Sequence, residues 1–323
     1  MIARRPLLAA PFALPALARG AAAQDTWPNR AVTVLLGYPP GGVTDFGARA
    51  VCERMGRTLG QSLVVENRPG AATAVANSAA AQARPDGYTL LMGTSTLAIN
   101  PALQPNLTPK DPRSELTPIG TVFRTAFVLH VHPSLPVRST AELIAYAKAN
   151  PGKLNFGSSG TGAVNHLCFE LFRARAGIDA VHVPYRGGAA ALIDLRTNRI
   201  QAMFSAAQEA LPALREGATR GLAVSSKDRM TVLPELPPVA AALPDFDGVF
   251  WQGLFGPAGL PAAIVARAGA ALRDATTDPV LVARMAEQGV ALTPGDAEAL
   301  RRMLAEETEM WGRLIREQNI RPE

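Results

Sequence analysis

The stretch Val32–Arg49, VTVLLGYPPGGVTDFGAR, decides the fold. Val32 to Leu36 are five apolar or β-branched residues in a row, the composition of a buried strand. Gly37, Pro39, Pro40, Gly41 and Gly42 break it, and Thr44 or Asp45 is placed to cap a helix starting near Phe46. A strand, a glycine turn and a helix start leave several backbone N–H groups aimed at one spot. The helix dipole adds to these free donors, so the spot favours an anion. The same grammar returns at residues 154–167, LNFGSSGTGAVNHL, with a helix from about Ala163. Two anion-receptive turns far apart in the chain predict two lobes that face one ligand.

Composition sets the frame around these turns. A chain of 323 residues suits two medium domains, and 48% hydrophobic against 18% charged residues argues for ordinary cores over disorder. Arg4-Arg5, the apolar run Pro6 to Ala18 and the small residues Ala21-Ala22-Ala23 read as an export leader over residues 1–23, cleaved after Ala23. No later stretch reaches about 18 uninterrupted apolar residues, so no lipid-embedded segment is expected in the mature chain. The leader removes Arg4, Arg5 and Arg19 and no acid, leaving 29 basic against 27 acidic residues. With no basic cluster interleaved with aromatics, nucleic acid is excluded as a partner. Cys52 and Cys168 each fall about two turns into a helix that follows one of the glycine turns. A bond between them would pin the two lobes together, so both read as buried free thiols.

In chain order, the spacing predicts a helix to Leu59, a strand Ser62 to Glu66, an alanine-rich helix Ala71 to Ala83 and a strand Tyr88 to Met92. Gly93-Thr94-Ser95-Thr96 then stands at the carboxyl edge of that third strand. This βαβαβ order implies a parallel sheet with ligands at the carboxyl ends of its strands. Asn100 to Leu116 is proline-rich and reads as irregular, and Ile119 to Val131 as an extended crossing into the second lobe. There the pattern repeats, with strands at Leu154 to Phe156, Ala180 to Pro184, Ile200 to Phe204 and Gly221 to Ser225. Helices over Ala141 to Ala149, Ala163 to Ala176, Gly188 to Thr197 and a short one ending at Glu216 separate them. A second crossing lies near Phe246 to Trp251, and the tail is helical over Pro261 to Thr277, Pro279 to Gln288 and Asp296 to Gln318.

Six motifs along this path resemble, in order, a known family. They are Gly41 to Asp45 (GGVTD), Val64 to Ala71 (VVENRPGA), Arg84 to Ser95 (RPDGYTLLMGTS), Gly157 to Leu167 (GSSGTGAVNHL), Val183 to Leu195 (VPYRGGAAALIDL) and Trp251 to Pro261 (WQGLFGPAGLP). The chain resembles the substrate-binding proteins of tripartite tricarboxylate transporters, the group that includes the Bordetella uptake gene products. The resemblance implies an α/β, two-lobed periplasmic binding protein of type II-like architecture, each lobe a parallel-dominated sheet flanked by helices, with the ligand cleft between them. Residues 24–123 and 250–323 would form lobe 1 and residues 124–249 lobe 2. It also implies a periplasmic receptor that closes on a small organic carboxylate and delivers it to a membrane permease; the residues show no metal-ligand cluster, and no cofactor is expected.

Motif match assigns Tyr38, Gly41, Gly42, Thr44 and Asp45 to the cleft, where backbone donors reach a ligand carboxylate, partly through water. Asp45 is expected to order the loop, because like charges repel. A nucleotide loop is disfavoured, since Val43 stands where a P-loop requires lysine. At the second turn, Thr161 breaks a G-x-S-x-G elbow and Asn165 breaks a dinucleotide fingerprint. What remains are the donors of Ser158, Ser159, Gly160, Thr161 and Gly162, which suit a carboxylate. His166 is either a ligand donor or a packed histidine. Tyr185 and Arg186 resemble the family's aromatic-basic segment, with Arg186 either a counter-charge or a surface residue. Thr94, Ser95 and Thr96 offer hydroxyls at the strand edge.

His130 and His132 share a strand face but have no Cys, Asp or Glu nearby in sequence, so they read as solvent-facing. His182 has no evident partner. Ser205 occupies the position after Phe204 where the family often carries aspartate. If that acid serves an amine, the counter-charge is lost here and a purely carboxylate or uncharged ligand tail is expected. An acyl- or carboxylate-processing enzyme in the same cleft is the competing class, but no nucleophile–base–orienter set has a recognisable spacing. A sensory module for a membrane signalling partner would look identical in sequence.

Overall fold

The computed structural model describes residues 27–321; the expected leader lies outside the described residues. The first half of the chain builds β1 (Val32–Leu36), α1 (Val43–Leu59), β2 (Leu63–Asn67), α2 (Ala74–Ala81), β3 (Thr89–Thr94), α3 (Thr96–Leu103) and α4 (Pro112–Glu115). The long strand β4 (Leu116–Val131) then leads through α5 (Thr140–Ala149), β5 (Asn155–Ser158), α6 (Val164–Ala176), β6 (Val181–Pro184) and α7 (Gly188–Arg196). Next come β7 (Ala202–Ala206), α8 (Ala207–Arg215) and β8 (Arg220–Val224), and β9 (Val249–Pro257) returns the chain. It finishes with α9 (Ala262–Thr276), α10 (Pro279–Ala286), β10 (Ala291–Leu292) and α11 (Ala297–Glu317).

These strands follow one path, β2-β1-β3-β9-β4-β7-β5-β6, with β8 and β10 also paired to β4. On one side β1 is parallel to both β2 and β3, and on the other β5 is parallel to both β6 and β7. The antiparallel strands β4 and β9 join the two sides. Residues 116–126 of β4 pair with β9, while residues 127–131 pair with β7 and β8. Bulges between Pro118 and Gly120, between Thr121 and Phe123, and at Leu129–His130 interrupt β4 along its length, which lets one strand serve two sheets. The result is the two-lobed α/β architecture expected from the repeated turn grammar.

Both central strand sets are buried, as expected for parallel sheets covered by helices. In the second lobe, Phe156, Phe169, Phe172, Phe204 and Phe246 form an aromatic cluster, with Phe156 and Phe169 stacked at 3.4 Å between ring centroids. Cys52 and Cys168 are free and buried, one in α1 and one in α6.

Three local expectations are corrected. The proline-rich stretch after Asn100 is not wholly irregular: α3 runs through Pro101 to Leu103, and α4 starts with Pro112 behind an Asp111 cap. Packing of α11 against α3 holds the short helix despite the donor missing at Pro101. The expected helix from Ala71 instead opens with a left-handed turn, since Ala71, Ala72 and Thr73 have φ of 45°, 49° and 74°. Such angles cost L-residues about 1–2 kcal/mol each. Tertiary bonds hold them: Asn100 Nδ2 donates to the Ala72 carbonyl at 2.9 Å, and the Thr73 hydroxyl pairs with that of Thr96 at 2.7 Å. Finally, His130 is buried, not solvent-facing. Its ring bonds Ser205 Oγ at 2.8 Å and Thr219 Oγ1 at 3.1 Å, and burial lowers its pKa to about 3.

Candidate functional site

Five helices begin directly beyond the carboxyl ends of the parallel-paired strands: α1 after β1, α3 after β3, α6 after β5, α7 after β6 and α8 after β7. None of the five has a side-chain cap. Of the other helices, Asp111, Ser139, Asp278 and Asp296 cap α4, α5, α10 and α11, while α2 and α9 also lack a side-chain cap. Uncapped first turns leave N–H donors available to an anion. The absence of caps is therefore concentrated where a ligand would bind.

The first turn is held by a latch. Helix α1 starts at Val43 behind Gly42, earlier than expected, and neither Thr44 nor Asp45 caps it. Asp45 instead reaches back to accept from Gly41 N at 3.1 Å, from Arg49 Nε at 3.0 Å and from Asn67 Nδ2 at 2.9 Å. Asn67 Nδ2 also donates to the Tyr38 carbonyl, and Arg49 Nη2 closes the ring onto Asn67 Oδ1 at 2.7 Å. Burial raises the Asp45 carboxyl, but these donors outweigh it and hold its pKa below the ordinary value. The carboxylate is thus spent on loop order, as expected. From β9, Gln252 Nε2 donates to the Thr44 carbonyl at 3.1 Å, tying the loop to the strand that joins the lobes.

At the second turn, most of the anticipated hydroxyls serve the loop itself. Ser159 Oγ donates to Asn165 Oδ1 at 2.8 Å, and Asn165 Nδ2 donates to the Phe204 carbonyl. Ser158 Oγ meets His182 Nε2 at 2.6 Å, which supplies the partner the sequence does not name. The His182 ring stacks on His166 at 4.0 Å, and His166 Nδ1 accepts from Gly162 N at 3.2 Å. Burial first, then His182 and Arg173, lower the His166 pKa to about 3, so it remains neutral beside Glu170. His166 is packed between the turn and the His182 ring. The backbone N–H groups of the first α6 turn and the Thr161 side chain remain uncommitted by any cap.

Elsewhere Thr73, Thr94 and Thr96 form a hydroxyl chain, and Ser95 Oγ accepts from Trp251 N at 3.1 Å. Ser205 is turned into the lobe toward His130. Tyr185 donates its hydroxyl to Asp194 at 2.8 Å, and Arg186 is exposed. Tyr38 lies beside Thr94 and Glu209, and burial pushes its phenol up to about 12.

The second turn packs against α3 and the left-handed turn of the first lobe, across the seam between lobes. A Cβ placed on Gly162 would stand 2.7 Å from Leu103 Cδ2 and 3.8 Å from Ala72 Cβ. One carboxylate, Glu209 in the first turn of α8, also spans the seam. Its oxygens would lie 3.8 Å from a Cβ on Gly42 and 2.4 Å from one on Gly188. Sequence reading overlooked Glu209, because nothing in its spacing separates it from an ordinary surface helix residue. Among the described residues, no group of three or more His, Cys, Asp and Glu could hold a metal, and no helix is long and apolar enough to cross a membrane. Grooves of 360 and 240 Å3, beside Leu236 and beside Val232, contain none of the anticipated site residues.

Comparison with known proteins agrees with this architecture. BugT of Bordetella pertussis is 32% identical over 296 residues, covering 91% of this chain and 90% of that protein. A UPF0065 protein from the tcbD-tcbE intergenic region of Pseudomonas sp. (strain P51) is 33% identical over 298 residues, covering 92% and 88%. Among solved structures, periplasmic binding protein BugD superposes with a TM-score of 0.83 at 28% identity, over 92% of this chain and all of that one. Rpa4515 of R. palustris with adipate gives 0.86 at 32%, over 92% and 100%, and MatC of Rhodopseudomonas palustris with bound malate gives 0.82 at 30%, over 90% and 100%. The pattern of the tripartite tricarboxylate transporter family receptor matches residues 47–320, and the chain belongs to that family of periplasmic receptors.

Proposed function

We propose that the protein captures a small organic carboxylate between its lobes and hands it, without turnover, to the membrane permease of a tripartite transporter. The observation that carries this reading is the set of helix starts without side-chain caps beyond the carboxyl ends of the parallel strands, contributed by both lobes. Backbone donors of this kind form charge-assisted hydrogen bonds to a carboxylate. Malate in MatC and adipate in Rpa4515 are carboxylates bound by relatives of the same architecture.

In this reading residues 24–123 with 250–323 move against residues 124–249 as the cleft closes, with β4 and β9 as the connecting strands. Tyr38, Gly41, Gly42, Thr44, Thr161 and Gly162 line the ligand directly. Asp45, Ser158, Ser159 and His166 act by holding the two turns in shape. The leader directs the chain to the periplasm and is removed after Ala23. Thermal melts with a panel of mono- and dicarboxylates and their amino derivatives test the reading. A ligand present at 100 times its Kd stabilises by about 2.7 kcal/mol. A panel without a single shift, together with hydrolysis of an ester or amide, would establish an enzyme instead.

A further inference from the structure

The sequence leads to a cleft stripped of its acidic residue, because Ser205 stands where an aspartate is expected. The fold restores an acid from an unexpected place. Glu209 lies in the first turn of α8, beyond the carboxyl end of β7, and its carboxylate projects to the seam. One oxygen faces Gly42 at the start of α1, in the first lobe, and the other faces Gly188 at the start of α7, in the second. The missing side chains at Gly42 and Gly188 make this position possible. A Cβ on Gly188 would stand 2.4 Å from Glu209 Oε2, so any larger residue there displaces the carboxylate.

Glu209 is left without a counter-ion. Among the described residues it has no hydrogen bond or ion pair, and the one group interacting with it is the Tyr38 phenol, which is neutral. Two basic residues of the cleft motifs are engaged or turned outward: Arg49 is held by Asp45 and Asn67, and Arg186 is exposed. Burial alone lifts the Glu209 carboxyl to about 7. Glu209 is half-buried, and a carboxylate with no cation beside it in such a recess is stabilised by a positive group that enters the cleft.

Two kinds of recognition group therefore share one cleft. The uncapped helix starts call for a negative group, and Glu209 calls for a positive one. A second carboxylate on the ligand, placed against Glu209, would bring two anions together with no cation between them. An ammonium group carries three donors and a full positive charge, which matches the two free oxygens of Glu209.

We propose that Glu209 reads a cationic nitrogen, so that the ligand is an amino-carboxylate bound as a zwitterion, its carboxylate at the helix starts and its ammonium against Glu209. This rests on the carboxylate-receptor reading above, and it replaces the expectation of an amine-free ligand drawn from Ser205.

The test uses matched pairs that differ only by the amine: glutamate and glutarate, 4-aminobutanoate and butanoate, 5-aminopentanoate and pentanoate. Calorimetric titration of the mature protein should show the amino member binding at least tenfold tighter in the pair of the right length. Glu209→Gln should weaken that amino ligand by about 10- to 100-fold, the worth of a charge-assisted bond. The same substitution should leave its amine-free counterpart unchanged or tighter. Gly188→Ala retains the charge but moves the carboxylate, and should also weaken the amino member selectively, with a normal melt. If an amine-free carboxylate binds as well as its amino partner, or if Glu209→Gln changes amino-ligand affinity by less than twofold, the inference falls while the receptor reading stands. If no carboxylate of either kind binds, both fall.

Discussion

Replacing Gly162 with alanine tests whether the second turn closes against α3 of the first lobe. Gly162 has φ of +82°, where an L-residue costs about 1–2 kcal/mol, so some loss of stability is expected. The added Cβ would also stand 2.7 Å from Leu103 Cδ2, about 1 Å inside an ordinary carbon–carbon contact. Leu103 is buried at the end of α3 against α11 and has little freedom to retreat. Overpacking of this kind costs about 1–3 kcal/mol. That penalty exists only while the lobes are together, so it falls on closure and hence on ligand affinity. The expected loss is about 5- to 150-fold.

Gly177→Ala provides the control. Gly177 ends the same helix, α6, with φ of +58°, and nothing lies within 4 Å of its added Cβ. Both variants should melt lower by about 2–4 °C per kcal/mol of strain. Only Gly162→Ala should also lose affinity in calorimetric titration with a carboxylate found by the melting panel. Equal affinity in the two variants would refute the idea that this turn closes against α3.

Three further outcomes are expected. Asp45→Asn removes the charge that organises the first turn and should lower stability by about 1–3 kcal/mol at pH 7. Because the folded pKa of Asp45 is depressed, its contribution is present above the unfolded value and fades as pH falls through the folded one. Acid titration followed by circular dichroism should therefore show a smaller acid-induced loss in the variant than in the native protein. Glu209 has the opposite sign, since its folded pKa is about 7 against an ordinary 4.5. Its favourable contribution is complete below 4.5 and lost as pH rises through 7, so Glu209→Gln should flatten the decline in apo melting temperature across that window. Ala72→Gly relieves a left-handed alanine and should raise the melting temperature slightly, whereas a right-handed helix at that position would make the glycine destabilising by about 0.5–1 kcal/mol.

The order of elements, the two glycine turns and the family motifs were legible because each depends on local chemistry. Apolar β-branched runs make strands, glycines and prolines end them, and 3.6-residue spacing makes helices wherever it occurs. The role of Asp45 was also legible, since its partners Gly41 and Arg49 are within four residues of it. What sequence alone could not supply were relations between distant segments. The left-handed turn at Ala71–Thr73 exists because Asn100 and Thr96 bond to it, against the helical preference of its own alanines. His130 is buried because β7 and β8 both pair with β4 there, and periodicity on one strand does not reveal what covers it. Ser159 and Ser158 spend their hydroxyls on Asn165 and His182, partners fixed by the turn geometry and by the β5–β6 pairing. Glu209 is the clearest case. One carboxylate on an amphipathic helix has no local mark of function, and only the convergence of α8, α1 and α7 at the seam places it, uncompensated, where a ligand charge would be read.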